Sequence, residues 1–589
     1  MKRNQIDDKF KWNIEEIFSS EKEFYQKLSI LEKQIDFLKY KGKLSDVKSV
    51  KECFDEYYLK AAELEIFAVY AMMKKDEDAS LPSAIKLEGA ISDVEIKFSM
   101  QVSFIEPELT SLSTEKLNEY LNDESLALYK NDIRKIIESK PHVLSEEVET
   151  VLAQGGKVFS GYKKIFGLID DVDLDFPTIL VDGKKVKITG STYSLMLQHP
   201  NREVRKKAFK AYYKAYNKVL NTITAVYQGN LDKDVFFSKV RKYKSCLDKA
   251  LFHEEVDKEV YLNLIDTVHT ALPILHRYVK DRKIVLGYDI NMYDLYVPLV
   301  ENADLKLDFE EAFNLVKEGL KPLGADYIDL LDRAKDERWM DVYENDGKRS
   351  GAYSVAVYNL KHPYVLLNHT KTTHSVFTIA HELGHAMHSY MSNKTQPVTT
   401  ADYKIFVAEV ASTVNEVLLI KYLIKTAEND KIKKYLLSYY LDTIRTTLFR
   451  QTMFAEFEHK AHLMVEKGQA LTKEELNKIY LKLNKTYYGK DVKSDKEISY
   501  EWARIPHFYS AFYVYKYATG IISAIAIAER ILSNEKNAVE DYFKFLSSGS
   551  IDKPVELLKI AGVDLTDVNT YKRAFDSFEN ALCEFEKLI

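Results

Sequence analysis

The stretch FTIAHELGHAMHSYMS, residues 377–392, contains His381, Glu382 and His385 in the spacing H-E-x-x-H. On a helix the two histidines lie one turn apart on the same face, so both imidazoles can bind one metal ion. Imidazole nitrogen suits zinc, which takes such ligands at about 2.0–2.1 Å in a tetrahedral array. Glu382 is turned by about 100° from His381 around the helix, where it can reach a metal-bound water and act as a general base. The pattern therefore predicts a catalytic zinc helix.

Histidine is concentrated around this stretch. Six of the 14 histidines of the chain lie between residues 362 and 388. By chance, a chain of this composition is expected to contain H-E-x-x-H on the order of a few hundredths of a time. An ordinary helix with two surface histidines is therefore the weaker interpretation.

A catalytic zinc needs a third protein ligand and an open fourth position. The segment ADYKIFVAEVASTVNEVLLIKYLI, residues 401–424, reads as a second helix with Glu409 set among apolar residues. A carboxylate in such surroundings costs several kcal/mol unless it is paired or binds a metal, so Glu409 is the predicted third ligand. Glu416 lies on the same face and is the candidate partner for a metal-binding histidine, with a solvated surface glutamate as the alternative. His388 shares the face of His385 and competes as a ligand.

The rest of the chain predicts a mainly α protein, because only 20 glycines and 12 prolines interrupt 589 residues. Two β-prone runs flank Asp182-Gly183, a strong signal for a hairpin near 176–190. A second β-rich zone, residues 339–370, stands directly before the H-E-x-x-H stretch and predicts a small β-sheet next to that helix. The expected domains are a helical N-terminal domain, 1–195, and a domain containing the metal helix, 196–589.

Composition narrows the function classes. The hydrophobic fraction is 46%, the charged fraction is 30%, and the net charge is −6 with both signs interspersed. These values are typical of a soluble globular protein and give no reason to expect nucleic acid or a membrane as partner. The chain has three cysteines and no apolar stretch behind its first basic residues. The expected location is therefore the cytoplasm, and the oligomeric state stays open.

Several motifs together resemble a known family. FTIAHELGHAMH, followed by FVAEVASTVNE with its glutamate 28 residues after the first histidine, resembles the thimet-oligopeptidase-like M3 metallopeptidases. WARIPHFYSAFYVYKYATG, residues 502–520, and WNIEEIF, residues 12–18, are similar to the oligoendopeptidase F branch of that family. The resemblance covers most of the chain and is strongest from about residue 341 to residue 520.

The resemblance implies a two-lobed helical metallopeptidase with a deep central channel and one Zn²⁺ at its floor. It also implies cleavage inside short, unstructured peptides, since such a channel excludes folded proteins. Carried over residue by residue, His381, His385 and Glu409 match the zinc ligands of the family. Glu382 matches its general base.

The later motif matches less completely. In the thimet branch a histidine precedes a glycine-rich loop and closely spaced tyrosines. Here the match begins at His507, but the glycine loop is missing and Phe512 takes one tyrosine position. Tyr515 is the best match for the tyrosine that stabilises the transition-state oxygen, and His507 is the other candidate donor to that oxygen. Tyr509 and Tyr513 are alternatives to Tyr515 that would otherwise contact substrate.

The expected function is a zinc-dependent endopeptidase in which a zinc-bound water attacks internal bonds of short oligopeptides and Glu382 is the general base. Tyr353, in the β-rich zone, is a candidate substrate contact, because an exposed strand edge can pair with an extended peptide. One alternative is a dipeptidyl carboxypeptidase or another zinc carboxypeptidase. Another is a peptide-binding protein with a structural zinc, although Glu382 and an open ligand position argue against it.

Overall fold

The computed structural model describes residues 2–301 and 303–589. It is 71% helical and its sheets are small, so the predicted mainly α fold is confirmed. The scarcity of glycine and proline explains this outcome, since both residues interrupt helices. Among the residues that the structure describes, no helix combines the length and the apolar character needed to cross a membrane.

The helices vary from single turns to one of 39 residues. Those of the first half of the chain are α1 Glu21–Gln34, α2 Val47–Glu77, α3 Pro82–Val102, α4 Ile105–Ser111, α5 Thr114–Asn122, α6 Lys130–Ser139, α7 Glu146–Gln154, α8 Gly156–Phe159, α9 Gly161–Leu168, α10 Gly190–Met196, α11 Arg202–Val240, α12 Cys246–Glu254 and α13 Lys258–Leu286. Those of the second half are α14 Phe309–Leu320, α15 Ala325–Asp336, α16 Thr373–Thr395, α17 Ile405–Lys425, α18 Asp430–Ile444, α19 Arg450–Glu466, α20 Lys473–Tyr488, α21 Tyr515–Leu532, α22 Ala538–Leu546, α23 Pro554–Ile560 and α24 Val568–Glu586.

The strands are short. They are β1 Thr178–Val181, β2 Lys184–Lys187, β3 Ile290–Asn291, β4 Met340–Asp341, β5 Tyr353–Val355, β6 Tyr364–Leu366 and β7 Val492–Lys493. Strands β1 and β2 form an antiparallel hairpin, and both residues of its turn, Asp182 and Gly183, have positive φ angles of 47° and 80°. Two positive φ angles are what a type I′ two-residue turn requires.

A three-stranded sheet lies next to helix α16. Its order is β4-β6-β5, with β4 parallel and β5 antiparallel to the central strand β6. Both β5 and β6 contact α16. The small sheet predicted beside the H-E-x-x-H helix is therefore present, and β5 is one of its edges.

The chain forms two compact units that interleave along the sequence. Unit 1 comprises residues 1–143, 304–422 and 527–564, and unit 2 comprises residues 144–303, 423–526 and 565–589. Part of the core of unit 1 joins aromatic side chains of the N-terminal helices, such as Phe24 and Tyr70, to Tyr364 and Leu366 of β6. That core anchors the sheet on which α16 packs. The linear division at residues 195 and 196 stays a prediction about domain organisation.

In unit 2, a 3-10 segment, Lys496–Arg504, packs against α11 and α20. Helix α18 continues into α19 through one π-helical turn, Arg445–Phe449. Such wide turns inside helices are rare overall, and those that occur often lie at functional sites.

Candidate metal centre

Helix α16 carries the H-E-x-x-H motif. Its N-terminus is closed by a capping box in which Thr372 and Ser375 each accept the backbone N–H of the other, which satisfies two donors that would otherwise lack a partner. Val376, Phe377, Ile379, Ala380 and Leu383 are buried, so most of the helix surface faces the core of unit 1.

Gly384 allows the second helix, α17, to approach α16 closely. A Cβ atom at this position would lie 2.6 Å from Cα of Ser412 and 2.7 Å from the carbonyl oxygen of Ala411. No side chain fits in that space without moving the backbone of α17. Asn415 of α17 fixes the pair further, because its Nδ2 donates to the carbonyl oxygen of Ala380 at 3.0 Å. This packing brings Glu409 to the two histidines.

Three ligand atoms converge between the two helices. Nε2 of His381 lies 3.2 Å from Nε2 of His385, and Oε2 of Glu409 lies 3.3 Å and 3.6 Å from these nitrogens. Ligands at about 2.0–2.1 Å from a tetrahedral ion are separated by about 3.3 Å. The three atoms therefore fit one zinc-sized ion without rearrangement, and they form the candidate metal-binding group among the described residues.

Electrostatics bind these side chains to one another. Burial disfavours the charged imidazole of His381, but hydrogen bonds to Glu409 and Glu416 outweigh burial and raise its pKa to about 10. Hydrogen bonds from His381 and His385 hold the pKa of Glu409 well below its usual range. A metal ion competes for the same three atoms, since it binds neutral imidazole and ionised carboxylate.

Glu416 forms a short hydrogen bond with Nδ1 of His381. The bond leaves Nε2 of that imidazole directed at His385 and Glu409. A carboxylate behind a metal-binding histidine fixes the tautomer and the ring orientation and strengthens the ligand. This contact supports the role predicted for Glu416 as partner of a metal-binding histidine, which stays a prediction.

Glu382 is buried, with 7% of its surface exposed. Burial raises its pKa, while the charges of His381 and His385 act in the opposite direction. A raised pKa makes a carboxylate a stronger base near neutral pH, as a general base requires.

His388 does not join the ligand set. Its ring stacks on Tyr403 with the ring centroids 3.8 Å apart, and only 1% of the residue is exposed. Burial lowers its pKa to about 3, so the imidazole is neutral. His388 is a core residue of unit 1, and the stacking partner Tyr403 had no signal in the sequence.

The His507 stretch belongs to unit 2, where three of its side chains form an accessible cluster. His507 is exposed, and its Nε2 lies 3.4 Å from the hydroxyl of Tyr517. The rings of His507 and Tyr513 are 5.9 Å apart, and those of Tyr513 and Tyr517 are 5.5 Å apart. Tyr517 was missed by sequence reasoning, although it follows Tyr513 by four residues, the spacing of one helical turn.

The other two tyrosines of the motif are core residues. Tyr515 is 0% exposed and packs edge-to-face on Tyr261, and Tyr509 is 5% exposed and stacks on Phe166. A group that donates to a substrate oxygen must be reachable by substrate. The burial of Tyr515 therefore weighs against the role predicted for it, which stays a prediction.

A buried glutamate fixes the loop that precedes α21. Phe512 has a φ angle of +53°, a strained conformation for a bulky residue. Its N–H donates to Oε1 of Glu458 at 2.6 Å, and its ring packs 4.4 Å from that of His462. Glu458 thereby holds the segment between His507 and Tyr513 in place, which the spacing of residues in the sequence did not predict.

Tyr353 lies on edge strand β5 and is half-buried. Its hydroxyl donates to Oδ2 of Asp76 at 2.9 Å, which ties the strand to the C-terminal end of α2. The hydrogen bond to Asp76 therefore gives Tyr353 a structural role. That Tyr353 contacts substrate stays a prediction.

Known proteins match this chain over most of its length. A family model described as peptidase family M3 matches residues 195–577, and one described as oligopeptidase F matches residues 108–176. The oligopeptidase PepF of Bacillus subtilis is 41% identical over 100% of this chain and 89% of its own length. An oligoendopeptidase F homolog of Borreliella burgdorferi is 38% identical over 100% of this chain and 99% of its own length.

The fold is also found in solved structures. A crystal structure of oligoendopeptidase-F from Enterococcus faecium superposes with a TM-score of 0.74 at 35% identity, and covers 96% of this chain and 98% of its own. The fold and the matched sequences define this protein as a metalloendopeptidase. The chain belongs to peptidase family M3.

Proposed function

We propose that this enzyme binds one zinc ion through His381, His385 and Glu409 and hydrolyses internal bonds of short, unstructured oligopeptides. The observation that carries the proposal is the separation of the three ligand atoms, 3.2, 3.3 and 3.6 Å, which fits a tetrahedral zinc site. Two imidazoles and one carboxylate leave a fourth position for water or substrate, as catalytic zinc sites do. The names of the relatives, oligopeptidase and oligoendopeptidase F, support the substrate class.

A zinc ion at this site would act as a Lewis acid on the scissile carbonyl and lower the pKa of a coordinated water. Glu382 takes the proton of the attacking water at its carboxylate and then delivers it to the departing amine. Its burial supports the first step, because the raised pKa of Glu382 makes the carboxylate a better proton acceptor. Glu416 keeps His381 in the tautomer that binds metal.

The oxygen of the scissile carbonyl gains negative charge during the attack. The family resemblance implies that the protein donor for that charge comes from the His507 stretch, in which His507 and Tyr513 are accessible and Tyr509 and Tyr515 are buried. One donor at such a position is typically worth roughly 3–4 kcal/mol, or 10²–10³ in rate.

The substrate backbone is proposed to pair with edge strand β5. This strand has β6 on one side, and Tyr353 is its first residue. Backbone pairing gives affinity without a strong demand on side chains, which suits an enzyme that accepts many peptides.

Digestion of end-blocked peptides of graded length, read by mass spectrometry, tests the substrate class. We expect cuts at internal bonds of blocked peptides, no cleavage of folded proteins, and loss of all cuts in a metal chelator. Release of C-terminal dipeptides alone, and only from peptides with a free carboxylate, would instead identify a dipeptidyl carboxypeptidase and overturn the proposal.

A further inference from the structure

Unit 2 contains a cavity of about 350 Å³ whose lining residues all belong to that unit. Arg450, Arg504 and Glu501 lie in its wall. The wall also contains apolar and aromatic side chains, among them Phe209, Met292, Tyr296 and Tyr488. The metal-ligand residues belong to unit 1.

Two arginines in the wall share one carboxylate oxygen. Nη2 of Arg450 lies 2.6 Å and Nη2 of Arg504 lies 2.7 Å from Oε1 of Glu501, and the other oxygen of Glu501 accepts the hydroxyl of Tyr480. Glu501 is 4% exposed, and the two arginine side chains are 14% and 22% exposed. In these contacts two guanidinium groups face one carboxylate, which leaves one positive charge in excess at the cavity wall; Asp170, which also interacts with the charge of Arg504, is not among the residues that line the cavity.

The excess positive charge continues behind Tyr296. The guanidinium of Arg445 lies 5.0 Å from the centre of the Tyr296 ring. Asp442, which pairs with Nε of Arg445 at 2.9 Å, is shared with Arg282 at 2.8 Å. Nη1 of Arg445 is buried and has no hydrogen-bond partner among residues 2–301 and 303–589. The π-helical turn matters here, because it places Arg445 and Arg450, five residues apart, closer to one face of the helix than an α-helical turn would.

Arg450 and Arg504 each have N–H groups that are not used in hydrogen bonds to the described residues. Arg450 donates only through Nη2, and Arg504 only through Nη2 and, at 3.3 Å to the hydroxyl of Tyr213, through Nε. Nε and Nη1 of Arg450 and Nη1 of Arg504 therefore make no hydrogen bond to the residues that the structure describes. Two planar guanidinium groups with spare donors are suited to a carboxylate, which accepts such donors in pairs.

The geometry points to a binding site for a small organic monocarboxylate with an apolar or aromatic body. One negative charge balances the excess of Arg450 and Arg504 over Glu501, and the body of the ligand packs against Met292, Tyr296 and their neighbours. The volume is at the lower end of the range for small-molecule pockets, roughly 300–1,000 Å³. Ser194 and Gln198 line the cavity and are exposed, so a ligand can enter beside α10.

Calorimetric titration of the zinc-loaded, full-length enzyme with phenylacetate tests the site, with the neutral isostere phenylacetamide as the paired probe. We expect phenylacetate to bind at one site and phenylacetamide at least tenfold more weakly, since the neutral amide carries no charge to balance the arginines. Equal binding of the two probes would overturn the inference. Binding of inorganic phosphate or chloride without binding of phenylacetate would contradict the assignment to a carboxylate.

Two variants separate this cavity from any other carboxylate site, including the metal centre. Arg450→Gln removes the excess charge while Glu501 keeps Arg504 and Tyr480, and Ser194→Trp fills the entrance from an exposed position. Each should weaken phenylacetate binding at least tenfold, whereas Arg277→Gln, a partly exposed arginine paired with Glu579 and Glu586, should not. If Arg450→Gln does not fold, Ser194→Trp alone decides, and unchanged binding in Ser194→Trp would refute the site.

Discussion

A single hydrogen bond orients the imidazole of His381 in the proposed metal centre. Glu416 binds Nδ1, so Nε2 points to His385 and Glu409, 3.2 Å and 3.3 Å away. Without that bond the imidazole could turn or carry its proton on Nε2, and it would then be a poorer ligand. The ligand set therefore depends on a residue that does not touch the metal position.

Glu416→Gln should lower zinc affinity by about 10–100-fold, because an amide is a weaker acceptor than a carboxylate for the Nδ1 proton. Titration with a competing chelator measures the affinity. Glu428→Gln, an exposed glutamate, is the matched control and should leave affinity unchanged. Wild-type affinity in Glu416→Gln would show that the bond from Glu416 to His381 does not strengthen metal binding.

The tyrosines of the His507 stretch differ in exposure: Tyr513 is partly exposed, whereas Tyr515 is buried. Tyr513→Phe should lower kcat by about 10²–10³ with little change in KM, as expected for loss of a donor used mainly in the transition state. Tyr515→Phe should change kcat much less, since Tyr515 is 0% exposed. Steady-state kinetics on one fluorogenic peptide compare the two. The reverse order would return the role to Tyr515, as the family resemblance implies.

Among the helices, the proposed metal centre depends on how closely α17 approaches α16. The ligands come from both helices, and the approach is possible because residue 384 lacks a side chain. Asn415 then locks the pair through the carbonyl oxygen of Ala380. A change in the helix separation of less than 1 Å would disturb ligand distances that fit zinc to within a few tenths of an ångström.

Gly384→Ala should lower zinc affinity and destabilise the protein by about 1–3 kcal/mol, because the new Cβ would press on the backbone of α17. Zinc binding and urea unfolding measure the two effects. Gly89→Ala is the control, since a Cβ at Gly89 in α3 meets nothing within 4 Å. There alanine should stabilise the helix by up to about 1 kcal/mol. Equal behaviour of the two variants would contradict the close-packing argument.

The loop before α21 should respond to pH through Glu458. Burial raises the pKa of Glu458 from 4.5 to about 8, the charge of His462 opposes this shift, and that of Asp234 adds to it. The native state thus binds the proton more tightly than the unfolded chain does. The contribution of Glu458 to the free energy of unfolding is therefore largest below pH 4.5. It falls as the pH rises towards 8, by at most about 1.4 kcal/mol per pH unit.

Glu458→Gln should flatten that decline, because the amide oxygen can still accept the N–H of Phe512 while no charge forms. Urea unfolding at pH 6 and pH 9 of the wild type and the variant measures the difference, with His462 and Asp234 present in both. Parallel pH profiles for the two proteins would show that Glu458 does not titrate in this window.

In the molecule as a whole, the sequence predicted the features that depend on neighbouring residues better than those that depend on long-range packing. Few helix breakers predicted the mainly α fold, and Asp182-Gly183 marked the hairpin, because both depend on neighbours in the chain. Glu409 and Glu416 could be proposed as site residues from the sequence, because carboxylates are conspicuous in an otherwise apolar helix. The bond between Glu458 and Phe512 joins residues 54 positions apart, and the cavity arginines meet only after folding. Contacts between residues so far apart in the chain leave no pattern in the local sequence.

We propose above all that His381, His385 and Glu409 hold a zinc ion and that Glu382 is the base beside it. The direct test measures bound zinc and hydrolysis of an internally quenched peptide in the wild type and in Glu382→Gln. We predict one zinc per chain in both proteins and a kcat lowered by about 10²–10⁴-fold in the variant, because proton transfer is lost while metal binding is kept. Purified wild type without zinc, together with normal hydrolysis by Glu382→Gln, would show that this site is not a catalytic zinc site.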